Sequence, residues 1–132
     1  MAYSGKYKPK NPAKYKGDHT KVIYRSMWER HCFKWCDENP MVKNWSSEEV
    51  VIPYFYEVDK KYHRYFMDLK ITWKTGKVDL IEIKPENHTV KESVGKSVYN
   101  QAQYIKNKAK WEAAAKYCKQ KGIQFRVVTE KD

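Results

Sequence analysis

The sequence predicts an α/β domain in the order helix, three-stranded antiparallel meander, helix, strand, with a mixed central sheet. Three observations carry that expectation. Apolar residues recur at three- and four-residue spacing over about 21–39 and again over 94–121, and three β-branched and aromatic stretches lie between them, bounded by polar turns. The chain has 132 residues, enough for one such domain with a modest core and too few for two.

Residues 1–18 carry Lys6, Lys8, Lys10, Lys14 and Lys16 interleaved with Tyr3, Tyr7 and Tyr15, broken by Pro9, Pro12 and Gly17 and without periodicity. They predict a flexible basic arm, with 19–132 as the single folded domain. Lysines on such an arm can follow a phosphate backbone while its tyrosines stack on bases; a passive solvated terminus is the alternative.

From Lys21 to Asn39 a stripe of Ile23, Met27, Trp28, Cys32, Trp35 and Cys36 predicts the first helix, capped by Asp18 or Thr20 and ended by Pro40. Glu29 lies one turn from Cys32 and Phe33, at the margin of that stripe. Glu48 to Tyr56, Tyr62 to Trp73 and Lys77 to Lys84 read as strands. A polar loop after Pro85, with Glu86, Asn87 and His88, leads to a second helix from Val94 to Lys121. Its apolar face is Val98, Ala102, Ile105, Ala109, Ala113 and Tyr117, and Gly122 ends it. Ile123 to Thr129 forms the last strand, and Trp28, Trp35 and Trp111 are assigned to the core.

Lys and Arg number 27 against 16 Asp and Glu, a net charge of +11 that attracts phosphate backbones or anionic surfaces, mere solubility being the bland alternative. Without an apolar run near the roughly 20 residues of a membrane span, or a secretory stretch at the start, neither insertion nor export is expected. Cys32, Cys36 and Cys118 make an odd count without framework spacing, which predicts free thiols. His31, Cys32 and Cys36 share one and a half helical turns, but structural zinc wants four ligands, so core packing is the preferred reading.

Acids interrupt two of the strands. Asp68 stands among Tyr65, Phe66, Met67, Leu69 and Ile71, and Glu82 among Leu80, Ile81 and Ile83, with Lys84 on the same face as Glu82. If Lys74, Thr75 and Gly76 form a three-residue hairpin loop, Trp73 faces Lys77, and counting back sets Asp68 opposite Glu82. Opposed side chains have Cβ atoms about 4.5–5.5 Å apart, so the two carboxylates repel unless a proton or cation lies between them. A divalent metal with hard oxygen ligands resolves the conflict. The competing reading is a cross-strand salt-bridge cluster of Asp68, Glu82 and Lys84 that contributes little.

The run Arg64-Tyr-Phe-Met-Asp68, followed by Ile81-Glu82-Ile-Lys84-Pro85, resembles the bipartite motif of the PD-(D/E)XK nuclease superfamily, the restriction-endonuclease-like fold. Within it the chain is similar to the head-completion nucleases of T-even-like tailed phages, relatives of the nuclease subunit of certain bacterial transposases. Lys14-Tyr-Lys-Gly-Asp18, Tyr24-Arg-Ser-Met-Trp-Glu29-Arg, Trp45-Ser-Ser-Glu-Glu49, Gln101-Ala-Gln103-Tyr, Lys108-Ala-Lys-Trp111 and Phe125-Arg-Val-Val-Thr-Glu130 continue the likeness. Met67 departs from it, standing where the superfamily name has proline.

The resemblance implies a restriction-endonuclease-like core in which Asp68, Glu82 and the Ile83 carbonyl bind Mg2+, with Mn2+ able to substitute. Glu29 is implied as an additional ligand, direct or through water, and Lys84 as the group that orients or polarises the attacking water. It implies an endonuclease on double-stranded DNA, working in the host cytoplasm during virion assembly, with head or portal components as partners and retention in the virion as an extension. The rivals are a DNA-end-binding head or connector protein without turnover, and a transposase-like or junction-resolving nuclease. His63, Arg64, Lys70, Gln101 and Gln103, with the arm lysines, are candidate phosphate contacts, a solvated surface being the bland alternative.

Overall fold

The structure, a computed structural model, describes residues 4–84 and 98–130. Two short strands, β1 (Gly5–Lys6) and β2 (Ile23–Tyr24), pair antiparallel ahead of helix α1 (Met27–Glu38). Then follow β3 (Val42–Ser46), β4 (Val51–Tyr56), β5 (Lys61–Phe66), β6 (Leu69–Trp73), β7 (Val78–Ile83), helix α2 (Val98–Lys121) and β8 (Gln124–Val128). The central sheet has the order β3-β6-β7-β8, antiparallel except for the parallel β7–β8 pair, while β4 and β5 form a separate hairpin. The α/β class with a mixed central sheet therefore stands. No helix among the described residues is long and apolar enough to cross a membrane.

The meander differs from the sequence reading. The stretch 62–73, taken as one strand, divides at Met67 and Asp68: its first half pairs with β4 and its second with β3 and β7. The change of partner happens where the Met67 N–H donates to the Val50 carbonyl and the Met67 carbonyl accepts from the Glu48 N–H. Strand β3 is not foreseen by the sequence reading, because Val42–Ser46 is only five residues long and its apolar residues, Val42 and Trp45, stand three apart across a register irregularity instead of at the two-residue period of a strand.

The β6–β7 loop does hold three residues. The Trp73 N–H donates to the Lys77 carbonyl and the Gly76 N–H to the Trp73 carbonyl, with Gly76 at φ 93°, a left-handed conformation that glycine adopts without a Cβ clash. Leu69↔Ile81 and Thr72↔Val78 follow in the expected register.

Side chains on β7 alternate between two cores. Ile81 and Ile83 join Phe33, Cys36, Trp45, Leu69 and Ile71 beneath α1, whereas Leu80 joins Ile52, Tyr54, Tyr65, Met67, Ala114 and Cys118 between the hairpin and α2. The three cysteines are free thiols, Cys36 and Cys118 buried and Cys32 half-buried. Two helix details shift. Trp35 is 46% exposed rather than core, and Ile105 on α2 is also exposed, the buried line passing instead through Asn107, Ala114 and Cys118. The start of the expected second helix, 94–97, and the Glu86, Asn87 and His88 loop lie outside the described residues.

Residues 4–18 are packed rather than forming a flexible arm. Tyr7 and Tyr15 enter the core against Trp45 at ring distances of 6.0 and 4.8 Å. The chain is clamped by Asp37, whose carboxylate accepts from the Tyr7 hydroxyl at 3.0 Å and from the Lys10 and Asn11 backbone N–H groups at 2.7 and 3.1 Å. Because Ile23 and Tyr24 must be extended to pair with β1, α1 starts later than expected. Ser26 is its cap, accepting from the Glu29 N–H at 3.1 Å, while Asp18 caps a separate single turn, His19–Lys21.

Candidate active site

Asp68 precedes β6, and the observed register continued by one step sets it opposite Glu82, near the C-terminal end of β7. Its carboxylate accepts from the Ile83 N–H at 2.8 Å. Burial pushes the Asp68 carboxyl up to about 7; the Ile83 N–H and the Lys84 charge oppose the rise, and the negative charges of Glu82 and Glu29 add to it. Asp68, Glu82, Glu29 and Lys84 thus share one electrostatic neighbourhood.

Glu82 is 3% exposed. One of its oxygens accepts from the Tyr65 hydroxyl at 2.7 Å and the other from the Trp111 indole N–H. Each oxygen keeps a lone pair beyond that bond, so the two donors orient the carboxylate without exhausting it. Burial pushes the Tyr65 hydroxyl pKa far up, and the Glu82 charge helps hold its proton on.

Glu29 sits in the first turn of α1, half-buried, and accepts from the Arg25 N–H at 3.3 Å. Its carboxyl is raised above the usual range, first by burial, with Glu48 adding to the rise. Glu48 holds a left-handed backbone at φ 58° and pairs with the Arg25 guanidinium at 3.2 Å. The Lys84 N–H donates to the Val128 carbonyl at 2.9 Å, tying the lysine position to β8.

Sequence reasoning missed Tyr65, Lys110, Trp111 and Glu48. Lys110 on α2 lies with its ammonium 5.2 Å from the Tyr65 ring, and burial holds its pKa below the usual lysine range although Glu82 favours the charged form. Its four-residue spacing from Lys106, which covers the Tyr56 ring at 5.5 Å, was the available signal.

The candidate phosphate contacts divide. Lys14 is half-buried and donates to the Asp37 and Asn39 carbonyls at the end of α1, Lys10 pairs with Glu38 at 3.0 Å on the exposed surface, and His63 pairs with Asp59 at 2.7 Å. Lys6, Lys8, Lys16, Arg64 and Gln101 are exposed, and Lys70 and Gln103 half-buried.

Among the described residues no three His, Cys, Asp or Glu side chains converge to enclose an ion by themselves. Magnesium needs less: one or two carboxylates, with carbonyl, water and phosphate oxygens completing its octahedron. Asp68, Glu82 and the Ile83 carbonyl are hard oxygen donors of that kind, and Asp68 is raised first by burial and further by the negative charges of Glu82 and Glu29.

A first helix, antiparallel strands, a second helix and a returning parallel strand make up a restriction-endonuclease-like core, with Asp68 just before β6, Glu82 on β7 and Lys84 just after it. The family model for the N-terminal domain of TnsA-like endonucleases matches residues 39–130. The chain is also 42% identical over 142 aligned positions to the head completion nuclease of Enterobacteria phage T4, covering 98% of this chain and 93% of that protein. It therefore belongs to the TnsA-like endonuclease family, the nucleases related to transposase subunits. The family match includes Asp68, Glu82 and Lys84 and starts after Glu29, whereas the alignment with the phage nuclease takes in α1 as well.

Proposed function

We propose that this protein is a magnesium-dependent endodeoxyribonuclease that processes packaged DNA in the host during phage head completion, with manganese able to substitute. The observation that carries it is the meeting of Asp68 and Glu82 where the β6–β7 register is continued by one step, with the Asp68 carboxyl raised by burial and by the neighbouring acids. Support for the setting comes from the likeness to the T4 head completion nuclease. Asp68, Glu82 and the Ile83 carbonyl would hold the ion, and Glu29 would ligate it directly or through water. An ion held there would supply a bound water of lowered pKa and stabilisation of the charge on the scissile phosphate.

The chain's own residues do the rest. Tyr65 and Trp111 fix the Glu82 carboxylate so that its remaining lone pairs stay aimed. Lys84 places a compact positive charge beside the attacking water, and Lys110 adds a second cation on the α2 side. Lys6, Lys8, Lys16, Arg64, Lys70, Gln101 and Gln103 supply DNA contacts outside the hydrolytic centre. Purified protein is to be incubated with linear, circular and branched DNA in magnesium, manganese or chelator. Cleavage that stops with chelator and in Asp68→Asn is the expected result. Turnover of no DNA form by wild type defeats the reading.

A further inference from the structure

The outer face of the β4–β5 hairpin carries side chains that the hydrolytic centre does not use. The pairs Val51↔Phe66, Pro53↔Arg64 and Phe55↔Tyr62 bring six exposed residues to one face, while Ile52, Tyr54 and Tyr65 on the other are buried against α2. Tyr62 is 76% exposed, Phe66 42% and Phe55 38%. Phe55 and Tyr62 meet edge to face at 5.2 Å, and the Arg64 guanidinium lies over the Phe66 ring at 5.4 Å. Exposed aromatic clusters on that scale mark an interaction surface.

Charge points to the partner. The hairpin's acids are already taken, Glu57 by Lys60 and Asp59 by His63, and among the described residues no carboxylate pairs with Arg64. A second copy of a +11 chain brings like charge to this face, whereas DNA brings the opposite charge and flat rings.

Spacing decides which form of DNA. Tyr62 and Phe66, the two rings on this face of β5, stand four residues apart, about 13.6 Å and four times the roughly 3.4 Å rise along one strand of a stacked duplex, with Arg64 midway between them. Rings set that far apart cannot lie on successive bases of an intact duplex, but they can take bases already unstacked. Phe66 is two residues before Asp68, so a strand on this face leads to the acid pair.

We propose that Phe55, Tyr62 and Phe66, with Arg64, form a stacking platform for unpaired bases, so that the substrate class is DNA with a single-stranded segment beside the cut: a frayed end, a gap or a fork. The substrate half rests on the nuclease reading above; the binding half does not.

The test is fluorescence anisotropy in chelator with a labelled oligothymidylate and a blunt duplex of equal length, on wild type, Tyr62→Ala, Tyr62→Phe and Phe66→Ala. Each alanine variant is expected to lose about fivefold to 150-fold in single-strand affinity, the range set by about 1–3 kcal/mol per stacked base. Blunt-duplex affinity should change less than twofold, the salt slope should stay the same, and Tyr62→Phe should bind as wild type does. Unchanged single-strand affinity in Tyr62→Ala, equal losses on both DNAs, or a wild-type dimer that Tyr62→Ala converts to monomer on sedimentation each overturns the platform. A wild type that cuts nothing yet loses oligothymidylate binding in Tyr62→Ala removes the nuclease reading and leaves the platform standing.

Discussion

Asp37 and Asp68 are both carboxylates taken largely out of water, and they are held in opposite ways. Asp37 collects a hydroxyl and two backbone N–H donors from the N-terminal segment. Among the described residues Asp68 accepts from one donor, the Ile83 N–H, and the charges acting on it are Glu82 and Glu29 against Lys84. Burial alone therefore does not separate a structural acid from a functional one. Between these two the supply of donors does: Asp37 is met by three N–H and O–H groups, whereas Asp68 meets one N–H and the negative charges of two other carboxylates, a setting that favours a cation.

The largest effect should come from the acid pair. Asp68→Asn and Glu82→Gln are each expected to lower the cleavage rate by about 10³-fold, about 4 kcal/mol of transition-state stabilisation. Both should stay folded by circular dichroism. Lys84→Ala should also stop turnover while metal still binds, and Glu29→Gln should be partial if that acid works through water. Retained cleavage in Asp68→Asn would erase the contrast with Asp37.

Next comes the acid with three donors. Asp37→Ala strands three donors, each costing about 1–3 kcal/mol when left unmade, and a net loss of about 3 kcal/mol should show as a lower urea midpoint. Cleavage per folded molecule should be unaffected. An unmoved midpoint would mean that the N-terminal segment is held without the Asp37 carboxylate, by ring packing, β1–β2 pairing and Lys14.

A smaller effect is expected from the donors to Glu82. Tyr65→Phe and Trp111→Phe should each weaken magnesium binding by about 10- to 100-fold on titration calorimetry, with the protein still folded. Wild-type affinity in both would show that Glu82 is oriented by strand geometry alone.

The smallest is a pH effect on the metal-free protein. Asp68 sits near 7 in the fold against an ordinary 3.8, so between those values the folded state binds more protons than the unfolded one. Its contribution is fully present below about pH 3.8 and is lost as pH rises through 7. Partial exposure reduces the expected drop to about 1–2 kcal/mol, with Glu29 adding in the same direction. Urea melts in chelator should become less pH-dependent in Asp68→Asn; an identical slope in both proteins would count against the buried, uncompensated state of Asp68.

The acid pair was legible because a turn fixes register. A glycine in the left-handed position of a three-residue loop determines every pair behind it, and Asp68 against Glu82 follows by counting. Partners distant in sequence were not legible. Trp111 reads as an apolar helix residue until the fold brings it across to Glu82, 29 residues away. The N-terminal segment was misread for the same reason: its tyrosines show no period of their own, since they pack individually against Trp45 and Asp37. Nor does local composition announce the break at Met67 and Asp68, where a continuous β-prone run changes sheets through bonds to residues 48 and 50.

The parallel pairing of β7 with β8 also sets a timetable. Glu82 and Ile83 find their partners in Val127 and Val128, more than forty residues later in the chain. At about 5–20 residues per second on the ribosome, the acid-bearing strand waits several seconds for its neighbour. During that interval the edge that anchors Lys84 to Val128 does not exist, and a nascent chain lacks the arrangement that would let it cut the DNA around it.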